Sequence, residues 1–420
     1  MQSLIGSHPC DAQKYREGSM LRRLAKTGFA SALEWAGANA LIGSLTTPQN
    51  LPWVIGYHAV VEDTAAHEGR AILPNLVSLK MLERHLDWLG RRYRFISLDE
   101  LGARLEGGEP FEKPAVAITF DDGYAGVYHH AFPLLRRKGI PAGLFVVTDL
   151  IGTTRLSIYD KLYLLLTSAF STGKAVSRDV VQLCATLGLS LPAPNKMSAT
   201  LRDPFLTMRI LFTAFPQEKI NRVIEALEAA VPIDESGFQE LHPLSWDMVS
   251  EMHRVGMTIG SHTKTHALLT NESWQRVAHE TTDSRLTLER KLGTQITHFA
   301  YPDGRFNAVV VGLVADAGYR YGYTTCLRRD SVHPRLTIPR KFLWEKSCVD
   351  ALGRFSSSIM SCHAHWIFDM MATCEHNHRW PASDPGDTST SSKPTGEGPG
   401  ELTAPTSSSH AEVVPHALNL

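Results

Sequence analysis

Residues 115–124 constrain the fold more than any other part of the chain. Six residues of high strand propensity, Ala115–Phe120, lead directly into Asp121, Asp122 and Gly123. A continuous apolar strand is typical of a parallel sheet covered by helices, and such folds place reactive side chains at the carboxyl ends of their strands. The sequence therefore predicts a buried parallel strand with two carboxylates at its functional end, although Asp-Asp-Gly is also an ordinary polar turn.

Strand-like and helix-like segments alternate along most of the chain. Short runs of strand-forming residues predict strands at residues 51–58, 94–97, 143–147, 257–262, 296–301 and 321–325. Ser78 precedes a helical spacing of leucines and Ser97 begins a capping box, so both serines are predicted helix N-caps. The alternation predicts a parallel α/β fold. Residues 151–240 interrupt it with helix-like runs, which predicts a helical insertion that acts either as a structural cap or as a lid over a substrate groove.

Length and composition fit one barrel-sized domain with appendages. The chain has 420 residues, of which 43% are hydrophobic, enough to bury a large core. Its net charge of -1 gives no electrostatic basis for nucleic acid as a principal partner. Residues 381–420 consist mainly of Ser, Thr, Pro and Gly, and we expect a disordered tail there.

The N-terminal region and the cysteines bear on the compartment. No stretch reaches about 18 uninterrupted apolar residues, and the first residues lack the order of a secretory signal, so no spanning helix is predicted. Residues 20–44 are predicted to form an amphipathic helix that packs on the domain or lies on a membrane surface as a peripheral contact. Six cysteines without a disulfide framework fit a reducing compartment, so the expected location is cytoplasmic.

Two histidines follow another predicted strand and suggest a metal site. His262 and His266 are four residues apart, and on a helical turn this spacing places both on one face. With Asp122 they form three ligands with open positions, which is typical of a catalytic metal site. Asp121 would then be available to handle a proton. Among 19 histidines such a pair also arises by chance, and two histidines with one carboxylate can also bind Fe(II) in an oxygenase.

Three motifs, in this order, resemble the polysaccharide deacetylase family, also called carbohydrate esterase family 4 or the NodB-homology domain. They are Thr-Phe-Asp-Asp-Gly-Tyr at residues 119–124, Ser-His-Thr-Lys-Thr-His at 261–266 and Phe-Ala-Tyr-Pro-Asp-Gly at 299–304. The pair Tyr57 and His58 also resembles the opening strand of the subgroup that includes poly-N-acetylglucosamine deacetylases. The resemblance implies a distorted (β/α)7 barrel, a zinc-type divalent ion and hydrolysis of N-acetyl groups on a glycan substrate.

The resemblance also implies how the chain is divided. It covers residues 51–345 as a catalytic domain, with the helical insertion at about 151–240 inside it. Outside it are an N-terminal helical extension at residues 1–50, a C-terminal helical segment at 346–380 and the disordered tail at 381–420.

Roles for individual residues follow from the matched motifs. By resemblance Asp121 is the general base, while Asp122, His262 and His266 are the metal ligands. A bound divalent cation polarises the acetyl carbonyl and acidifies water, and a neighbouring carboxylate accepts the proton, so the chemistry agrees with these roles. Backbone N–H groups of the third motif would help to hold the oxyanion; this stretch comprises Tyr301, Pro302, Asp303 and Gly304.

The chain departs from the family pattern in the third motif and near its end. Ala300 stands where many members have arginine, and Asp303 where they have an aromatic residue, so the group that orients Asp121 must come from elsewhere. Arg340 is our candidate. The late histidine that often supplies the general acid is absent, and we predict that His58 takes this role, because it follows a strand whose end lies on the same barrel face.

Other functions remain open on the sequence. The substrate could carry O-acetyl rather than N-acetyl groups, or the chain could be a non-catalytic carbohydrate-binding member of the same fold. A second set of soft ligands, Cys362, His363, His365, Cys374, His376 and His378, could bind another zinc, although it lacks the turn residues of a zinc knuckle. The alternative for this region is a C-terminal helix that packs on the domain.

Overall fold

The computed structural model describes residues 20–46, 51–111, 113–172, 180–191, 203–233 and 238–369. Within them the predicted (β/α)7 barrel is confirmed. Its strands are β1 (Trp53–Tyr57), β2 (Ala59–Val61), β3 (Leu76–Ser78), β4 (Arg94–Phe95), β5 (Ala115–Phe120), β6 (Ala142–Val146), β7 (Thr258–Ser261), β8 (His298–Ala300), β9 (Tyr321–Thr324), β10 (Ile338–Pro339) and β11 (Lys341–Phe342).

The main sheet runs β10-β9-β8-β7-β6-β5-β1-β11, and every pairing in it is parallel. β10 and β11 belong to one continuous segment, interrupted only by Arg340. This segment pairs with β9 through Ile338 and with β1 through Lys341, so it closes a ring of seven parallel strands. All six residues of β5 are buried, as expected of a strand covered on both faces.

Helices surround the ring and begin where the sequence predicted. Ser78 accepts a hydrogen bond from the Met81 N–H, and Ser97 accepts one from the Glu100 N–H, so both predicted N-caps are confirmed. The helices are α1 (Met20–Trp35), α2 (Ala38–Thr46), α3 (Leu79–Gly90), α4 (Leu98–Gly107), α5 (Phe132–Lys138), α6 (Ile158–Thr172), α7 (Val180–Thr186), α8 (Pro204–Ala214), α9 (Gln217–Ala230), α10 (Trp246–Arg254), α11 (Trp274–Leu292), α12 (Ala308–Asp316) and α13 (Ser357–Ala364).

The helical insertion contains α6 to α9 and follows β6 in the chain. Its apolar side chains form a cluster of their own, separate from the main barrel core, around Leu165, Met208 and Leu227. The insertion therefore has enough apolar surface to hold its helices together. It lies after a strand's carboxyl end, which is the face where the candidate site forms.

The N-terminal helices meet the last described helix. Ala30 of α1 and Ile359 of α13 share a small buried cluster with Cys362 and Ile367. None of the helices in the described part of the chain is both long and apolar enough to cross a bilayer. The predicted disordered tail, residues 381–420, lies outside the described residues, as do Cys374, His376 and His378.

Candidate active site

Asp121 directly follows β5 and is held in the barrel wall. Its N–H donates to the Tyr57 carbonyl at 2.9 Å, which extends the pairing between β5 and β1. Its carboxylate is 2% exposed and accepts two hydrogen bonds from Arg340, Nη1 to Oδ1 and Nη2 to Oδ2, each 2.7 Å long. A fork of this kind fixes both the position and the plane of the carboxylate.

Arg340 is fixed in turn by the strands that it lies between. The guanidinium carbon is 4.9 Å from the ring centre of Phe342 and 5.1 Å from that of Phe145. Nη1 also donates to Thr119 Oγ1 at 3.1 Å, and that hydroxyl donates to the Ile55 carbonyl. The candidate named from the sequence therefore contacts Asp121. Ala300 of the third motif, which stands where many family members have arginine, is fully buried in the core.

Asp122 leaves the strand conformation directly after Asp121. Its φ is 71°, in the left-handed region, so the chain turns here and does not continue as an extended strand. Asp122 Oδ1 lies 3.1 Å from His266 Nε2 and 3.4 Å from His262 Nε2. Burial alone would raise the pKa of Asp122, but the facing imidazoles, His266 above all, hold it well below its usual range.

His262 presents a lone pair to Asp122. Its Nδ1 lies 2.8 Å from the Ala300 carbonyl oxygen, which can only accept, so Nδ1 carries the proton and Nε2 does not. Burial lowers the pKa of His262 to about 4, which keeps the ring neutral at neutral pH. Anchoring one ring nitrogen to a carbonyl leaves the other free to bind a metal, and this is the usual environment of a ligating histidine.

His266 lies in an irregular loop, and its Nε2 also faces Asp122 Oδ1. The predicted helical turn is wrong, because Thr263 and His266 have φ values of 68° and 64°, which no right-handed helix allows. Glu280 of α11 holds the loop, since its buried carboxylate accepts the N–H groups of Lys264 at 3.0 Å and Thr265 at 2.8 Å. Burial opposes charge on His266, but the Asp122 carboxylate outweighs it and raises the pKa of the ring.

The three side chains suit a divalent cation. One ligand atom from each of Asp122, His262 and His266 lies within 4.8 Å of the others, and in the described residues no other group of three or more such side chains meets this test. Asp122 Oδ1 is buried without a well-aligned hydrogen bond, and it faces the lone pair of His262 Nε2. Two acceptors that face each other out of water are stabilised by a cation between them.

Two side chains of the insertion lie beside His266 and the third motif, and the sequence did not predict either. Tyr159 of α6 lies edge-on to His266, with ring centres 4.9 Å apart, and stacks on Phe212 of α8. Arg209 of α8 donates to both oxygens of Asp303, at 2.7 Å and 3.1 Å. Neither lies in a recognisable motif, so only the fold could reveal them.

Backbone N–H groups in the stretch that was predicted to hold the oxyanion already donate hydrogen bonds to other backbone carbonyls. Tyr301 donates its N–H to the Tyr323 carbonyl, Gly304 donates to the Tyr301 carbonyl, and Pro302 has no N–H. Asp303 has a φ of 55° and is ion-paired to both Arg209 and Arg305. The N–H groups of Tyr301 and Gly304 are thus engaged within the barrel, which weakens the prediction that they hold an oxyanion.

His58 lies at the end of β1, on the face that carries the carboxylates. Its ring stacks on Phe342 at 4.6 Å. Burial lowers the pKa of His58, while the nearby carboxylates of Asp122 and Asp121 act in the opposite direction. The structure thus brings His58 close to both aspartates, and its role as an acid remains a prediction.

The described part of the second Cys/His set does not converge. Cys362 is buried in the apolar cluster beneath α1. The His363 ring contacts the Ser347 carbonyl and the His365 ring contacts the Ser361 carbonyl.

Comparison with known families gives one match over much of the barrel. The model described as "Polysaccharide deacetylase" matches residues 108–190 and 194–322, just over half of the chain. The matched part includes Asp121, Asp122, His262 and His266, whereas His58 and Arg340 lie outside it.

Several curated proteins are similar over shorter spans. YxkH of Bacillus subtilis (strain 168), named as a candidate polysaccharide deacetylase, is 21% identical over 66% of this chain and 65% of its own length. A poly-beta-1,6-N-acetyl-D-glucosamine N-deacetylase of Staphylococcus epidermidis is 29% identical over 28% of this chain and 44% of its own. That of Escherichia coli (strain K12) is 29% identical over 24% and 15%. The chain thus spans less than two thirds of these relatives.

Two solved structures illustrate the similarity in fold. The deacetylase PplD of Streptococcus pyogenes, in complex with acetate, has a TM-score of 0.46 and 20% identity, covering 73% of this chain and 97% of its own. IcaB from Ammonifex degensii has a TM-score of 0.45 and 17% identity, covering 75% and 97%.

Proposed function

This chain belongs to the polysaccharide deacetylase family, and from that premise we propose that it is a metal-dependent hydrolase that removes N-acetyl groups from the amino sugars of a polysaccharide or glycan precursor. The observation that carries the proposal is the division of labour between adjacent carboxylates. Asp121 is ion-paired to Arg340, while Asp122 faces two imidazoles. One carboxylate can therefore take a proton while the other helps to hold a cation.

Asp122, His262 and His266 would hold the cation, for which zinc is our first expectation. When bound, such an ion polarises the acetyl carbonyl and lowers the pKa of water from 15.7 to about 7. His262 contributes Nε2 because its Nδ1 proton is committed to the Ala300 carbonyl. His266 must give up its proton to contribute a nitrogen, so low pH opposes binding.

Asp121 is the proposed base. Its carboxylate accepts one proton from the attacking water while the water oxygen bonds to the acetyl carbon. Arg340 keeps the carboxylate oriented through its two hydrogen bonds. The C–N bond then breaks, acetate leaves, and the amine nitrogen takes up a proton.

His58 is the proposed donor of that last proton. It shares the barrel face with Asp121 and Asp122, and its ring position is set by the stack on Phe342. Histidine is the side chain whose ordinary pKa lies near neutral pH; here burial lowers the pKa of His58, and the carboxylates of Asp122 and Asp121 favour its protonated form. Because the acid and the base are different side chains, neither has to carry a proton from the water to the amine.

The relatives that are poly-beta-1,6-N-acetyl-D-glucosamine N-deacetylases support an N-acetylglucosamine polymer as the substrate class. The ligand set alone also suits removal of O-acetyl groups, since the same attack at an acetyl carbon applies. An oxygenase is disfavoured by the family membership and by Asp121, for which that chemistry has no use.

The decisive experiment measures acetate release from matched N-acetylated and O-acetylated glycans, together with metal content. We expect release from the N-acetylated set, with Asp121→Asn lowering turnover by about 10²–10⁴-fold at unchanged metal content. His58→Ala should lower turnover at unchanged metal content as well. Glycan binding without acetate release by the metal-loaded protein would show a non-catalytic carbohydrate-binding member instead. Release from only the O-acetylated set would reassign the substrate.

A further inference from the structure

Helix α1 exposes an unusual number of large apolar side chains. Met20, Leu21, Leu24, Phe29 and Trp35 are between 50% and 92% exposed, and all five lie on this one helix. Trp35 is the most exposed of them, at 92%. Isolated exposed apolar residues are ordinary, but a concentration of them on one element marks a surface that contacts something apolar.

Three of these residues lie on one stripe of the helix. Leu21, Leu24 and Trp35, together with Gly28 and Ala32, recur at intervals of three and four residues, which places them on one face of an α-helix. All five are exposed. At about 1.5 Å per residue the 16-residue helix is about 24 Å long, so the stripe extends along its whole length.

The opposite, more polar face of α1 is the one docked on the domain. Lys26 Nζ donates to the Ser347 carbonyl at 3.1 Å, and Thr27 Oγ1 accepts the Ala351 N–H at 3.0 Å. Glu34 accepts hydrogen bonds from Ser357 and from the neighbouring serine of α13. An amphipathic helix that only packs on its own domain turns its apolar face inward. Here that face is turned outward.

The charges of α1 indicate what covers the stripe. Arg22 is exposed at the start of the helix and forms no ion pair with any residue in the described segments, whereas Arg23 is half-buried on the docked face, three and four residues before Lys26 and Thr27. The one acidic residue of the helix, Glu34, is bonded to the domain. An apolar stripe with an exposed arginine at its flank and a tryptophan at its end is typical of a helix that lies in an anionic lipid interface.

We propose that α1 binds the surface of an anionic phospholipid bilayer, with the stripe of Leu21, Leu24, Gly28, Ala32 and Trp35 facing the acyl chains. A second copy of this chain fits less well, because pairing two stripes would gather the arginines of both copies with no free acidic side chain on either helix. α1 docks on the loop after β11, so lipid binding would hold the barrel at the membrane surface.

Vesicle flotation of the full chain tests the proposal. The probes are vesicles of phosphatidylcholine alone and of phosphatidylcholine mixed with phosphatidylglycerol. We expect wild type to float with the anionic vesicles, and Leu24→Glu to bind at least about tenfold more weakly because it puts a charge into the apolar stripe. Arg22→Gln should weaken binding roughly fivefold, with less effect at high salt.

The matched control is Leu286→Glu, since Leu286 is also a helical leucine and is 46% exposed, against 50% for Leu24. It should float as wild type does. Thermal midpoint and acetate release from a soluble glycan should be the same in all variants, which separates this proposal from the enzymatic one. The proposal fails if wild type ignores anionic vesicles or if Leu24→Glu floats equally well. It also fails if light scattering shows a dimer that Leu24→Glu converts to a monomer, because the stripe would then join two copies.

Discussion

The two sides of the candidate site are built in different ways. On the base side, Asp121 and Arg340 belong to the barrel wall, and strand pairing fixes both. On the ligand side, Asp122 and His266 adopt left-handed backbone conformations in loops. Those loops depend on partners outside the ring, including Glu280 of α11 and the insertion helices. The difference teaches that the proposed metal binding and the proposed proton transfer depend on separate parts of the fold and can be tested separately.

The largest effect is expected when two of the three proposed metal ligands are removed. His262→Ala together with His266→Ala should abolish stoichiometric divalent metal binding and reduce acetate release to background, because one carboxylate cannot hold the ion. Metal analysis and a turnover assay check this. The double variant should still fold, since the apolar barrel core does not depend on these two side chains. Full metal occupancy in the double variant would place the site elsewhere.

The next largest effect is expected on the base side, from substitutions of Arg340. Arg340→Met leaves a buried carboxylate unpaired, and we expect a loss of about 3–5 kcal/mol in the free energy of unfolding. Without the guanidinium nothing holds the Asp121 carboxylate in one orientation, so turnover should fall as well. Arg340→Lys keeps the charge but not the fork, and should restore stability more than turnover. Loss of metal from Arg340→Lys would show that the two sides are not independent.

A smaller effect is expected from the insertion. Arg209→Met releases Asp303 from one of its two arginines and should weaken metal affinity or turnover by about tenfold, because the third motif is then less well positioned. The control is Arg222→Met, another insertion arginine, whose guanidinium donates to the Leu187 carbonyl far from any ligand. If both variants behave alike, the insertion acts only through its own stability.

The smallest and finest test separates the two histidines by pH. In metal-free protein, His262 should titrate near pH 4 and His266 above its ordinary value, which NMR of the imidazole protons can follow. Only neutral imidazole binds metal, so affinity should begin to fall as pH drops through the raised pKa of His266, by about tenfold per pH unit. A further fall due to His262 follows only near pH 4. A single common pKa for both rings would contradict their different anchoring.

Much of the barrel could be predicted from the sequence because parallel strands and their caps are local signals. The apolar run before Asp121, the serine caps and the alternation of elements all reflect short-range chemistry. The convergence of Asp122, His262 and His266 was also predictable, since they belong to motifs with a characteristic spacing. Arg340 could be named only as a candidate, because nothing near it in the sequence indicates Asp121.

The parts that could not be predicted depend on long-range contacts or on backbone strain. The helical turn predicted for His262 and His266 was wrong because two residues of that loop adopt positive φ, stabilised by a buried glutamate on a later helix. Tyr159 and Arg209 reach the site only because the insertion folds back over it. The sequence likewise did not determine that the apolar stripe of α1 faces outward, because periodicity shows that a helix is amphipathic but not which of its faces docks on the domain.

The closing segment of the barrel has a consequence for synthesis on the ribosome. Arg340 and Asp121 are separated by 219 positions, and all three proposed ligands precede Arg340 in the chain. A nascent chain therefore exposes its ligands to cellular metal before the last barrel strand has emerged. Until that strand inserts between β9 and β1, the base has no partner and the ring is open. The proposed hydrolysis should therefore require the closed barrel, whereas the three proposed ligands are all synthesised before it closes.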